Sequence, residues 1–300
     1  MTPGRIWLLL TFLLLAACQS GPSLNGAGPV CRNAKYSLPI HEANGGTKIY
    51  VDLRLDAFGA KRVVLDTGAG ANVRLMPAIP GGTGDRAKGE RVFLKQGQWI
   101  PVDELGGSLY FYSTDIDPQM FQMLGEMQVS EFILNPDRID PDGYTVVDLR
   151  HRRLIGFADA GDVANCVGHG TRSQITAAER KSNYVFIDAL IDGHLAGRVE
   201  VDTGEESTEF YNPLLHDATA VPAHDLHYYR IGGTEIVPRL SRNHQIRIGG
   251  TTRPLPVVAD LSDLKSDEAL RPDARLGYAT LNQSILIFPP AGAGYWELIF

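Results

Sequence analysis

Two Asp-Thr-Gly triplets, Asp66-Thr67-Gly68 and Asp202-Thr203-Gly204, stand 136 residues apart, each at the end of a valine-rich stretch. These residue types suit one kind of chemistry. Two carboxylates held about 3 Å apart cannot both ionise easily, so they share a proton and titrate as a pair. The ionised member can act as a base toward a bridging water, while the protonated member hydrogen-bonds a carbonyl oxygen. Such a site needs no metal and no cofactor.

The triplets lie inside a longer repeat. Residues 50–68 align without a gap on residues 186–204, with eight of nineteen positions identical. The identities are Asp52/Asp188, Asp56/Asp192, Ala60/Ala196, Arg62/Arg198, Val63/Val199 and the triplet itself. Average residue usage yields about one identity by chance over that length. Each copy has the pattern of a β-hairpin: an alternating strand, a short turn, and a second strand running into the triplet. Strand patterns dominate elsewhere, punctuated by Gly-Gly pairs at 106, 232 and 249, with helix predicted only over about 117–128 and 263–271. The expected fold is therefore mostly β, with two homologous lobes.

On these duplicated Asp-Thr-Gly hairpins the chain resembles aspartic peptidases of the pepsin-like and retropepsin-like group, in a bacterial lipoprotein form. The resemblance implies an acid-protease-like bilobal fold, its two β lobes related by a pseudo-twofold axis with the active-site cleft between them, and an aspartic-type endopeptidase acting on peptide or protein substrates. It casts Asp66 and Asp202 as the catalytic pair, Thr67 and Thr203 as braces between the loops, and Gly68 and Gly204 as points of close backbone approach. It places flaps near Gly97 with Trp99 at the tip in the first lobe, and around Gly232 and Gly233 in the second. Leu276-Gly277 fits the family's later motif, and Asn135 stands where that motif has glycine in the first lobe. Glu205 occupies a position that the family fills with a small residue, as Ala69 does in the first lobe. A carboxylate there adds like charge beside the pair, making Glu205 a candidate to tune it. The alternative implied by Glu205 is a catalytically impaired pseudo-protease serving as a peptide-binding or envelope-assembly lipoprotein. In a third reading both triplets are only turns of a structural β lipoprotein.

The ends of the chain carry an address. Residues 1–17 have a short basic start and an apolar run of about twelve residues, too short to span a bilayer. The run ends in Leu15-Ala16-Ala17-Cys18, a lipobox-like sequence that makes Cys18 the lipidation site. With Gln19 following, the expected location is the bacterial envelope, anchored to the outer membrane and facing the periplasm. Residues 18–30 read as a flexible tether, 31–160 as the first lobe, 161–183 as a linker and 184–300 as the second lobe. Cys31 and Cys166, the two remaining cysteines, lie 35 and 36 residues before Asp66 and Asp202, so a disulfide between them is expected. The net charge of -7, with no basic block, excludes a nucleic-acid partner, and the body is expected to be a monomer. His216, His224 and His227 match no common metal spacing, and no metal is expected.

Overall fold

The structure, a computed structural model, describes residues 31–43, 48–77, 95–116, 118, 121–122, 130–168, 172–176, 186–223, 228–229, 235–236, 238–262 and 272–300. Cys18, the flap glycines Gly232 and Gly233, the whole of 263–271 and most of 117–128 lie outside the described residues.

The repeated hairpins form as their alternation dictates. Strand Lys48–Leu55 sends Ile49, Val51, Leu53 and Leu55 into the core on every second residue. It turns through Ala57 and Gly59, both at positive φ, into strand Gly59–Leu65. In the second lobe Phe186–Ile191 and His194–Val201 are joined by Asp192-Gly193, with φ of 50° and 85°, the backbone sense that matches the twist of a hairpin.

Duplication is as clear in the topology as in the residues. The first-lobe sheet runs in the order His41–Ala43, Lys48–Leu55, Gly59–Leu65, Phe132–Leu134, Val73–Pro77, Gly107–Ile116, Lys95–Val102. In the second lobe Phe186–Ile191, His194–Val201, Ala274–Leu276, Thr208–Phe210 and Val258–Asp260 follow one another in the same sense. The strand before each triplet pairs parallel with a short strand, Phe132–Leu134 or Ala274–Leu276, which pairs antiparallel with the strand after the triplet. The molecule is thus mostly β and bilobal.

A third, six-stranded sheet belongs to both lobes. Its centre is an antiparallel pairing of Tyr144–Asp148 with Ile285–Phe288, each flanked by its own hairpin partner, Arg153–Phe157 or Tyr295–Ile299. Tyr36–Pro39 and Arg172–Thr176 close its two ends. The stretch read from sequence as a linker therefore contains one of these end strands. It also contains a helix, Ala160–Val167, started by an Asp159 side chain that accepts from the Asp162 N–H at 3.0 Å. The helix buries Val163 and Cys166 against Val146, Ile155, Phe157, Ile285, Ile287 and Ile299 of the shared sheet. Eight residues with only two apolar contacts are too few for a periodic pattern to stand out, and strand alternation does not see them.

Cys31 and Cys166 are disulfide-bonded, tying the entry of the first lobe to the helix that leads into the second. A closed loop of this length constrains the unfolded chain strongly. Replacing both cysteines by serine is expected to lower the unfolding free energy by about 4 kcal/mol, read from urea denaturation beside the wild type.

Candidate functional site

The two triplets meet where the lobes touch. Each aspartate is pinned by its backbone: Asp66 N–H donates to Leu134 O and Asp202 N–H to Leu276 O, both at 3.0 Å. The adjoining threonines then cross. Thr67 Oγ1 donates to Val201 O at 2.7 Å and accepts from Thr203 N–H at 3.0 Å. Thr203 Oγ1 donates to Leu65 O at 3.0 Å and accepts from Thr67 N–H at 3.2 Å. Both threonines are fully buried, so these four bonds form away from competing water. Gly68 N–H donates to Asp66 Oδ1 at 2.8 Å, and Gly204 N–H to Asp202 Oδ1 at 2.9 Å. A Cβ on Gly68 would fall 2.4 Å from the Asp202 carboxylate, and one on Gly204 2.3 Å from Asp66 Cγ. The structure thus brings Asp66, Asp202, Thr67, Thr203, Gly68 and Gly204 into one cluster.

The charges around this cluster are unequal. Arg275 lies 3.4 Å from Asp202 Oδ2, 2.9 Å from Glu200 Oε2 and 3.1 Å from Glu209 Oε2. Lys48, from the first lobe, donates to the Gly204 carbonyl. Burial, with the Asp202 charge and a hydrogen bond that protonated Asp66 donates to that side chain, holds Asp66 well above the usual carboxylate range, while Lys48 pulls the other way. Burial pushes Glu200 up to about 7 against the pull of Arg275, and Glu209 up to about 7 with the Glu205 charge adding to it. Burial works against the charge of Arg275, but Glu200 and the other anions around it outweigh that and hold it firmly protonated. Tyr211 donates to Glu209, and Glu200 Oε1 is buried with no hydrogen-bond partner among the described residues.

Sequence reading missed Lys48, Glu200, Glu209 and Arg275. The strand pairings show what they replace. Glu200 pairs with Arg275 and Arg275 with Glu209, whereas the equivalent first-lobe positions pair Val64 with Ile133 and Ile133 with Val73. An apolar triple in one lobe has become an ionic triad in the other. The available signal was Glu200 itself, a carboxylate in the middle of a valine strand where the repeat has Val64.

Glu205 does face this group. Burial raises its carboxyl above the ordinary range, with Lys48 opposing and Asp202 adding, and its Oε1 accepts the Glu206 N–H at 3.2 Å. Trp99 sits elsewhere: it is 69% exposed on Lys95–Val102, edge-on to Tyr110. The turn of that hairpin is Asp103–Gly106, so Gly97 is within a strand and Trp99 is not at a tip. Gly97 instead marks an irregularity in strand pairing, where a Cβ would strike Phe111 O at 1.7 Å. Asn135 is buried, accepts the Asp137 N–H through Oδ1 and donates its own N–H to Asn72 Oδ1, both at 2.9 Å. At Gly277 a Cβ would meet Ser207 O at 2.3 Å. His216 bonds to Ser262, and no group of metal-ligating side chains occurs among the described residues.

No family model and no curated protein matches the sequence. Among solved structures the chain is similar to basic 7S globulin from soybean, at 10% identity and a TM-score of 0.50, covering 88% of this chain and 94% of that one. It is also similar to conglutin gamma, a unique basic 7S globulin from lupine seeds, at 13% identity and a TM-score of 0.49, with the same coverage. The soybean likeness shows the fold alone. The soybean neighbour is a globulin and not an aspartic peptidase, so the step from paired Asp-Thr-Gly loops to an aspartyl protease is corrected. The endopeptidase expectation and its pseudo-protease alternative are withdrawn with it. The two aspartates stand in unequal surroundings: a guanidinium lies beside Asp202, and an isoleucine occupies the equivalent place in the Asp66 lobe.

Two expectations follow for stability. Gly204→Ala forces the Asp66 loop away and should destabilise by about 1 to 3 kcal/mol, read from thermal unfolding. Arg275→Ile alone strands buried carboxylates and should destabilise by about 3 to 5 kcal/mol, whereas Glu200→Val, Arg275→Ile and Glu209→Val together should be neutral or stabilising by about 1 to 4 kcal/mol. Both glutamates are raised from 4.5 to about 7 in the folded protein, so their contribution is complete below pH 4.5 and lost as pH rises through 7. The gain from the triple change should therefore be larger at pH 8 than at pH 5.

Proposed function

We propose that the protein is a non-hydrolytic binding protein that holds a protonated amine of a small ligand against Asp66 and Asp202. The observation that carries this reading is a charge imbalance at the lobe junction. Asp66, Asp202, Glu200, Glu205 and Glu209 are gathered there against only Lys48 and Arg275 among the charged groups described around them. Such a deficit in a low-dielectric setting is relieved by protons or by a bound cation. Asp66, Gly204 and Glu205 are all partly exposed, so solvent reaches the floor of the junction. Each aspartate is oriented by a glycine N–H on its Oδ1, and the remaining oxygens, with Asp202 Oδ2 3.4 Å from Arg275, are the acceptors an ammonium group would share. The disulfide suits work in an oxidising compartment.

Titration calorimetry with ethylenediamine, putrescine and spermidine, beside neutral diols of matched length, tests the reading. Amines should bind and diols should not, and Asp66→Asn or Asp202→Asn should weaken amine binding at least tenfold. Equal behaviour of amines and diols would overturn the proposal. So would hydrolysis of a peptide mixture by the wild type that disappears in Asp66→Asn.

A further inference from the structure

We propose that Glu200, Arg275 and Glu209 form a proton-linked regulator of the junction, so that amine binding at Asp202 is coupled to release of a proton from this buried triad. The inference rests on the amine-binding reading for its ligand, but the regulator itself stands on the geometry of the triad.

Arg275 is shared among three carboxylates at 2.9, 3.1 and 3.4 Å, and one guanidinium cannot neutralise all three. Glu200 and Glu209 are 2% and 3% exposed, and Glu200 Oε1 has no hydrogen-bond partner among the described residues. An unpartnered oxygen on a buried carboxylate is costly when charged and far less so when the group is neutral. A proton is therefore the natural occupant of this corner. The groups facing it come from every neighbouring element: Arg275 from Ala274–Leu276, Glu209 and Tyr211 beside Thr208–Phe210, Asp202 and Glu205 from the loop, and Lys48 from across the junction. Both glutamates being pushed up to about 7 agrees with this assignment.

The direction of the coupling follows from charge. With both glutamates ionised, the triad carries an excess negative charge behind Asp202, and Arg275 is spread over three anions. A cation at Asp202 is then favoured. Uptake of one proton by either glutamate cancels the excess and commits Arg275 more fully to Asp202, so the cation is held less well. The first lobe cannot respond in this way, because Val64, Ile133 and Val73 fill the equivalent positions. Regulation is thus confined to one side of a symmetric-looking site.

The test uses the doubly substituted Glu200→Gln, Glu209→Gln protein, which mimics the protonated triad while keeping Arg275 and its acceptors. Putrescine stays doubly charged across the range, so its own titration does not interfere. Wild-type affinity should fall at least tenfold between pH 8.5 and pH 5.5. The double variant should bind at pH 8.5 more weakly than the wild type, and its affinity should fall less steeply toward pH 5.5, the remaining slope belonging to Asp66. A wild-type affinity independent of pH, or an equal slope in the double variant, would overturn the proposal. A second readout separates this from the functional reading: carboxyl carbon and guanidinium resonances followed by NMR in the unliganded protein. The Glu200 and Glu209 resonances should titrate near pH 7 in the wild type, and the Arg275 side-chain resonance should move with them there and not in the double variant, even if no amine binds. An Arg275 side-chain resonance that moves alike in both proteins would sink the regulator whatever the ligand proves to be.

Discussion

Everything distinctive about this molecule depends on the reciprocal hydrogen bonding of Thr67 and Thr203. Each hydroxyl spends its single proton on a carbonyl of the opposite lobe and takes an N–H in return, so neither can move without leaving polar groups unpaired in the interior. That constraint fixes the distance between the loops and forces Gly68 and Gly204 to pass against the opposing carboxylates. It also brings together acidic groups that would repel each other if the chain were free to separate them. Compensation by Lys48 and Arg275 is the consequence, not the cause, of the arrangement.

Two lobes of one ancestry have resolved the same corner differently. Behind Asp66 the strands pack valine and isoleucine; behind Asp202 the corresponding positions hold glutamates around an arginine. Buried ion groups of this kind are rarely the most stable filling of a core, since desolvation offsets most of the Coulombic gain. Their presence on one side alone separates the environments of two aspartates that the backbone treats as equivalents. The triplets supply the symmetry and the triad removes it.

Much of this was legible in the residues. Alternation in 50–68 and its copy in 186–204 was enough to place two hairpins and a β-rich, two-lobed fold, because half-buried strands print their burial as a period of two. The equivalence of Cys31 and Cys166 pointed to the observed bond for the same reason: a repeat places like residues in like positions. What the residues did not disclose is carried by contacts without local pattern. Glu209 and Arg275 meet only after the chain has gone through several other strands, and Lys48 acts on a loop of the other lobe. Tyr36–Pro39 and Arg172–Thr176 are short and find partners far away in sequence. The step from triplet to enzyme failed for a related reason, since a motif specifies backbone geometry but not the charges that later strands bring beside it.

The shared six-stranded sheet has a consequence for how such a chain came to be built. Its central seam joins Tyr144–Asp148 of one lobe to Ile285–Phe288 of the other in antiparallel register. A single-lobed chain of this design would leave that strand as a bare edge, a row of unpaired donors and acceptors inviting a partner. An identical copy, turned through a half rotation, would satisfy it, and the pair would be an isologous dimer in which every residue appears twice. Fusing two copies in one chain lifts that restriction: a substitution no longer has to suit both sides of the axis at once. An arginine flanked by two glutamates could then be installed on one side only, which an obligate homodimer could never do.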